Sequence, residues 1–495
     1  MTDPVVLVLD EGTSSARTLA VAADGSVVAQ AQREFAQHFP KPGWVEHDPE
    51  EIWQAQVSTL TEVVASLRGR SIAGIGITNQ RETIVLWGRR TGAPVARAIV
   101  WQDRRTAVTM NELRQRGLAA EVAQRTGLTL DPYFSASKLA WLLDSVPDGR
   151  ERAARGELAA GTIDSWLLWK LTSGRAHATD VSNASRTMLM NLESLAWDPW
   201  LLGALQVPRE VLPTIVSTSG VVAEATGDAC VNGCPVAELV GDQQAALFGQ
   251  GAHERGQLKV TFGTGCFVLR NDGCEPSPAP SSTLATVAWK LGEGRAVYAH
   301  EGSVFMGGAA IQWLRDGLRI IRSAPEVNEL AASVPDSGGV VVVPAMTGLG
   351  APHWDPSARG AIMGLTRGST AGHIARATLE GIAMQVVDVV EALGRVDGTT
   401  IRVDGGACAS DLLMQTQADL LGCAIERPRM LESTALGAAF LAGLATGVWS
   451  DLASVRALRQ VDRSFEPLTT AKARRLARAR WAMAVGRTRG WEERA

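Results

Sequence analysis

The feature that most constrains this chain is a pattern that occurs twice. Residues 5–25 read VVLVLDEGTSSARTLAVAADG, and residues 258–271 read LKVTFGTGCFVLRN. Each has an apolar run, a short turn rich in glycine and hydroxyls, and a second apolar run. Val-rich runs of this length, bounded by Asp, Gly and Ser, read as β-strands. Both stretches therefore predict β-hairpins. Two such hairpins about 250 residues apart predict a duplicated domain whose two polar turns face one cleft. At 495 residues the chain is also too long for one hydrophobic core.

The chemistry of the turns favours an anionic ligand. Gly12 lets the backbone bend closely around a partner. Thr13, Ser14 and Ser15 supply hydroxyl and N–H donors, and Arg17 is a fixed cationic fork suited to phosphate. Asp10 would repel a bare phosphate but not one carrying Mg²⁺. An ordinary hairpin with a polar tip is the plainer reading of this turn alone. In the second hairpin Gly263-Thr264-Gly265 sets a hydroxyl between two glycines. A third candidate loop, Val403-Asp404-Gly405-Gly406, follows a strand and precedes the helical stretch 412–421.

Other local signals fill in an α/β chain. Asp48-Pro49-Glu50-Glu51 is a helix start, with a cap, a proline at the first position and acids at the positive dipole end. SIAGIGIT (71–78) reads as a strand, NQRET as a turn and IVLW as the strand's partner. DVSNASRTMLM (180–190) reads as loop then strand, and 276–282 as a surface loop. A long helix is expected over 369–393 with Ser369 as its cap, and another over 434–444. Gly348-Leu349-Gly350 lacks the third glycine of a dinucleotide fingerprint and is followed by Pro352.

Composition excludes several classes. The chain is 46% hydrophobic and 20% charged, with a net charge of −4, which argues against bulk nucleic-acid or anionic-membrane binding. The basic stretch Arg474–Arg480 reads as a solvated helix face. MTDPVVLVLD shows no cationic leader before its apolar run. The longest small-apolar run, 435–449, falls short of the roughly 20 residues that span a bilayer. The six cysteines are scattered and read as free thiols.

A set of further motifs occurs in order: KPGWVEHDPEEIW (41–53), GITNQRETIVLW (76–87), WQDRR (101–105), DPYFSASK (131–138), GTIDSWLLWKLT (161–172), NASRTMLMN (183–191), GDQQAALFGQ (241–250), FGTGCF (262–267), FMGGAAIQWLRD (305–316), GLGAPHWDP (348–356), ARGAIMGLTRG (358–368) and VDGGA (403–407). Together they resemble the FGGY carbohydrate-kinase family over essentially the whole chain. RET and GDQQAALFGQ point to its glycerol branch; a kinase for another small polyol or sugar is the alternative.

The resemblance implies an α/β fold of two actin-like (ribonuclease-H-like) domains with a central cleft. Residues 1–250 would hold the polyol and 251–495 the nucleotide. It implies transfer of the ATP γ-phosphate to glycerol with Mg²⁺, in the cytoplasm, by a homodimer or homotetramer that inserts in no membrane. By the same resemblance Asp242 is the catalytic base and reaches the metal through water, with Asp10 as the other metal contact. Arg81, Glu82, Tyr133 and Gln243 bind glycerol hydroxyls, and Trp101 and Phe267 wall its carbon chain. Thr13, Ser14, Ser15, Arg17, Thr264, Gly308, Gln312, Gly406, Ala407 and Asp411 hold the nucleotide. Three places depart from the family's usual residues: Glu11 for Gln, Ala16 for Ser, and Ser410-Asp411 for an Asn pair. The segment 225–239, where relatives bind regulators, has no Arg, Lys or His.

Overall fold

The computed structural model describes residues 4–280, 282–394 and 399–492. Both hairpins form. β1 (Val5–Glu11) pairs antiparallel with β2 (Ser15–Ala22), placing Asp10 opposite Arg17 and Glu11 opposite Ala16. β3 (Val27–Glu34) extends this meander on the far side of β2. On its other edge β1 takes β4 (Ile72–Asn79) in parallel. β5 (Ser219–Glu224) and β6 (Pro235–Gly241) complete a six-stranded sheet of order β5-β6-β4-β1-β2-β3.

The second half repeats the scheme. β7 (Leu258–Phe262) and β8 (Cys266–Gly273) form the hairpin, and β9 (Leu284–Lys290) and β10 (Ala296–Val304) continue it. β11 (Ile401–Asp404) lies parallel to β7, with β12 (Ile425–Pro428) and β13 (Val461–Phe465) beyond it. The order is β9-β10-β8-β7-β11-β12-β13. Each sheet is thus an antiparallel meander whose first strand also starts a parallel set. In such sheets ligands gather at the carboxyl ends of the parallel strands.

Register explains which residues meet there. Glu11 and Gly241 both pair with Asn79, so β1, β4 and β6 end level with one another. Likewise Thr261 of β7 pairs with Asp404 of β11. The loops after these ends carry the polar residues named above.

α1 (Pro49–Ser66) starts as expected, with the Asp48 carboxylate accepting from the Glu50 N–H. Other local expectations are corrected. IVLW is not the partner of SIAGIGIT. Both edges of β4 are taken by β1 and β6, and Ile84–Gly88 joins a separate five-stranded sheet beside Leu158–Thr162. Asp180 caps a helical turn, Val181–Ala184, and of the strand expected at the end of 180–190 only Met190 forms one, in the two-residue strand Met190–Asn191. The long helix, α2 (Ala371–Ala392), is capped by Thr370 together with the His373 side chain rather than by Ser369. The Ser369 hydroxyl accepts from the Thr366 N–H instead.

α3 (Ser433–Thr446) covers most of the longest apolar run. It is apolar all round because it is buried all round. Gly437 lets it press against the helix Asp242–Gly249; a Cβ there would clash with the Ala245 carbonyl. Its Phe440 and Leu441 share one core with Val6 and Val8 of the first sheet and Leu269 of the second. Among the described residues no helix is long and apolar enough to cross a membrane.

Candidate active site

The first part of the site grows from the level ends of β1, β4 and β6. Just beyond them lie Gly12–Ser15, Gln80–Glu82 and Asp242. Neighbours on a regular strand face opposite ways, but β4 has ended at Asn79, and in the loop beyond it Glu82 adopts a left-handed backbone (φ 63). Arg81 and Glu82 consequently both enter one buried polar cluster. The Arg81 guanidinium donates to both Glu301 oxygens, at 2.5 and 2.8 Å, and to Gln244 Oε1 at 3.2 Å. Its Nε lies 3.3 Å from Asp242 Oδ1. Glu82 accepts from Arg186 Nε at 2.6 Å, and Arg186 Nη2 reaches Glu301 at 3.3 Å.

Two arginines and two glutamates thus lock together out of water. Burial alone would raise the Glu301 carboxyl; the facing guanidiniums of Arg186 and Arg81 overturn that and hold it at about 2. For Glu82 burial outweighs the same two arginines, and its carboxyl sits above the usual range.

Asp242 opens the helix Asp242–Gly249 and is half-buried at the cleft. Oδ1 accepts from the Gln243 N–H at 2.7 Å, and Oδ2 accepts from the Gln243 amide at 3.2 Å. Burial raises its carboxyl, with Arg81 opposing, so it is more basic than an ordinary aspartate. Gln243 is engaged on its other side too, because its Oε1 accepts from the buried Lys259.

Aromatic walls stand beside this cluster. Trp101 lies edge-on to Tyr133 at 5.7 Å and to Phe267 at 6.5 Å, and Arg81 lies 6.0 Å from the Phe267 ring centre. The Trp101 indole N–H donates to Thr13 Oγ1 at 3.0 Å, which ties this wall to the first polar turn. These rings and Thr264 line a cavity of about 630 Å³ that extends to Met306 and Trp354.

In the first turn Ser14 is exposed and Thr13 half-buried, while the Ser15 hydroxyl accepts from Gln32 on the next strand. Arg17 is not an open phosphate fork. Its guanidinium is held by Asp10 Oδ2 at 2.5 Å and by Glu432 Oε2 at 2.5 Å, joining the first hairpin to the residue before α3. In the second turn Thr264 is exposed and borders that cavity. The helix Gly308–Asp316 closes over the turn: the Gly308 and Ala309 N–H groups donate to the Gly263 and Thr264 carbonyls. A Cβ on Gly308 would meet the Gly263 oxygen at 2.8 Å, so the glycine is needed for this approach. Gln312 is exposed one turn further on.

Gly405, at φ 86, turns the chain out of β11, and Gly406 and Ala407 lie in a short 3₁₀ turn, 406–409. Asp411 begins the helix Asp411–Leu421. It is committed to Arg427, at 2.8 Å, and to Arg463. The structure therefore groups Asp10, Arg81, Glu82, Trp101, Tyr133, Asp242, Gln243 and Phe267 around one centre. Thr264 stands at its edge, while Gly406, Ala407 and Asp411 belong to the loop after β11.

Sequence reasoning missed Glu301, Arg186, Gln244 and Lys259. Lys259 and Glu301 are charged residues within mostly buried strands, and a charge there is tolerated only when paired. That signal was present, but it named no partners.

The carboxylates fit a hard divalent cation. Asp10, Glu11 and Asp242 lie around one turn. Glu11 is fully buried; its Oε1 accepts from Gln80 at 3.0 Å and its Oε2 has no partner. Burial, with Asp10 and Asp242 adding to it against the Gln80 hydrogen bond, pushes the Glu11 carboxyl well up. Among the described residues no three His, Cys, Asp or Glu converge as a closed metal cage.

Residues 5–249 match the N-terminal domain, and residues 258–446 the C-terminal domain, of the FGGY family of carbohydrate kinases. The chain is 55% identical to a glycerol kinase of Trichlorobacter lovleyi and 53% identical to one of Koribacter versatilis, covering 99% of each protein and of itself. It is also similar to the crystal structure of Plasmodium falciparum glycerol kinase with ADP, with a TM-score of 0.91, 33% identity and 98% of both chains covered.

Proposed function

The chain belongs to the FGGY family of carbohydrate kinases, and from that premise we propose how its site works. The protein is an ATP-dependent glycerol kinase, giving sn-glycerol 3-phosphate and ADP. The observation that best supports the reading at this site is Asp242: a carboxylate open to the cleft, made more basic by burial, and aimed by Gln243 beside the Arg81–Glu82 cluster.

Phosphoryl transfer asks a protein for alignment, a proton acceptor and neutralisation of charge. Glycerol lies with its carbons against Trp101 and Phe267. Glu82 and the Tyr133 hydroxyl fix two of its hydroxyls. Arg81 acts mainly by orientation, since its terminal nitrogens are bonded to Glu301. Asp242 accepts the proton of the attacking hydroxyl. The γ-phosphate lies between the Thr13–Ser14 turn and Thr264, and Gly308, Gln312, Gly406 and Ala407 border the rest of the nucleotide. Arg17 serves this site through Asp10 rather than by direct contact. Asp10 and, through water, Asp242 would hold Mg²⁺, which when bound neutralises phosphate charge.

Residues 1–250 and 251–495 form the polyol and nucleotide domains. We place the enzyme in the cytoplasm, with ATP, as a homodimer or homotetramer; light scattering reads the latter. The test of the activity is a coupled assay of ADP release with glycerol and a panel of other small polyols and sugars. Preference for another acceptor by kcat/KM would overturn the glycerol assignment.

A further inference from the structure

Lys259 lies in β7, two residues before the strand's penultimate position, and its side chain is fully buried. Taking an ammonium out of water costs several kcal/mol unless its donors are met. Two are met: Nζ lies 2.7 Å from Gln243 Oε1 and 2.6 Å from Thr261 Oγ1. Gln243 belongs to the first half of the chain and Lys259 to the second, so this hydrogen bond crosses between them.

The chemistry of the two groups fixes an orientation. An ammonium only donates, whereas a glutamine amide has one accepting end and one donating end. The end facing Lys259 must therefore be the oxygen. The amide nitrogen is then turned toward Asp242 Oδ2, which it meets at 3.2 Å. Flipped over, the amide would oppose N–H₂ to an ammonium and oxygen to a carboxylate.

We infer that Lys259 is a positioning residue for phosphoryl transfer: it fixes the Gln243 amide and, through it, the aim of the Asp242 carboxylate. The inference rests on the reading of Asp242 as the proton acceptor. A cation that served only to neutralise the buried Asp404 beside it would make no demand on Gln243.

The experiment is a double-mutant cycle on the full chain. Lys259→Met keeps the length and loses the donors. We expect kcat to fall between about tenfold and a hundredfold, the scale of a misaimed reacting group, with the KM for ATP little changed. In a Gln243→Ala background the same substitution changes kcat by less than about twofold, because no amide remains to orient. Equal losses in both backgrounds, or wild-type kcat in Lys259→Met, overturn the inference. Where Lys259→Met fails to fold, Gln243→Met leaves the lysine in place and must itself lose turnover; wild-type kcat there overturns the relay. Lys259→Ala with added n-propylammonium should regain turnover that n-propanol does not restore. Absence of glycerol phosphorylation by the wild-type chain in the same assay would remove the functional reading itself, whereas additivity removes only the role of Lys259.

Discussion

Glu301 is the point on which the buried cluster turns, and Glu301→Gln tests it. The substitution keeps the shape and an accepting oxygen but removes the charge that faces Arg81 and Arg186. The distance between the ordinary carboxyl value of 4.5 and about 2 corresponds to about 3 kcal/mol of folding stability, undiminished by solvent because the group is fully buried. The same size is expected for a buried ion pair that loses one partner. The sign follows from the lowered folded value. The stabilisation is complete above pH 4.5 and is lost as the pH falls toward 2. The deficit of the variant should therefore be constant between about pH 6 and 8 and shrink below about pH 4.5. Urea unfolding followed by tryptophan fluorescence reads it as a shift in midpoint. A chain of this size need not unfold in one step, so the first transition is the one to compare. Released from Glu301, Arg81 turns toward Asp242, and the KM for glycerol should rise by about tenfold or more. A variant within about 1 kcal/mol of wild type and with an unchanged KM would refute the argument.

Asp242→Asn should lower kcat by roughly two orders of magnitude while weakening glycerol binding less, measured in the coupled assay; near-native turnover would remove the base assignment. Glu11→Gln should stabilise the nucleotide-free protein, because the neutral amide avoids burying a carboxylate whose second oxygen has no partner. Since the folded Glu11 carboxyl is raised, its ionisation destabilises the fold as pH climbs, so the gain in melting temperature should be larger at pH 8 than at pH 5; equal melts at both would show that Glu11 is compensated. Glycerol with a non-hydrolysable ATP analogue should compact the particle in small-angle scattering, since the two turns lie on different sheets; an unchanged profile counts against closure. Segment 225–239 has no cationic side chain, and Asp228 there caps the Cys230 N–H, so millimolar fructose 1,6-bisphosphate should leave the initial rate unchanged; clear inhibition would reveal a control site elsewhere.

The repeated hairpins, the α1 start, the glycine turns and the polar residues that line them are legible in the sequence alone. Each is a local property: strand patterning, a capping aspartate, a backbone that must bend or approach closely. The resemblance to the FGGY family pointed to Asp242, Arg81 and Glu82, because its ordered motifs are recognisable without knowledge of what surrounds them in space. What those side chains bond to emerges from the packed fold. Arg17 looked like a free fork until Asp10 and Glu432, more than 400 positions apart in the chain, closed on it. IVLW looked like the partner of SIAGIGIT until both edges of that strand were claimed by β1 and β6. Glu301, Arg186 and Lys259 gained their meaning only when strands from both halves met. The physical reason is one of range. Strand and turn preferences are set within a few residues, whereas a buried charge is stable only beside its counter-charge, and that partner is chosen by the packing of the two sheets.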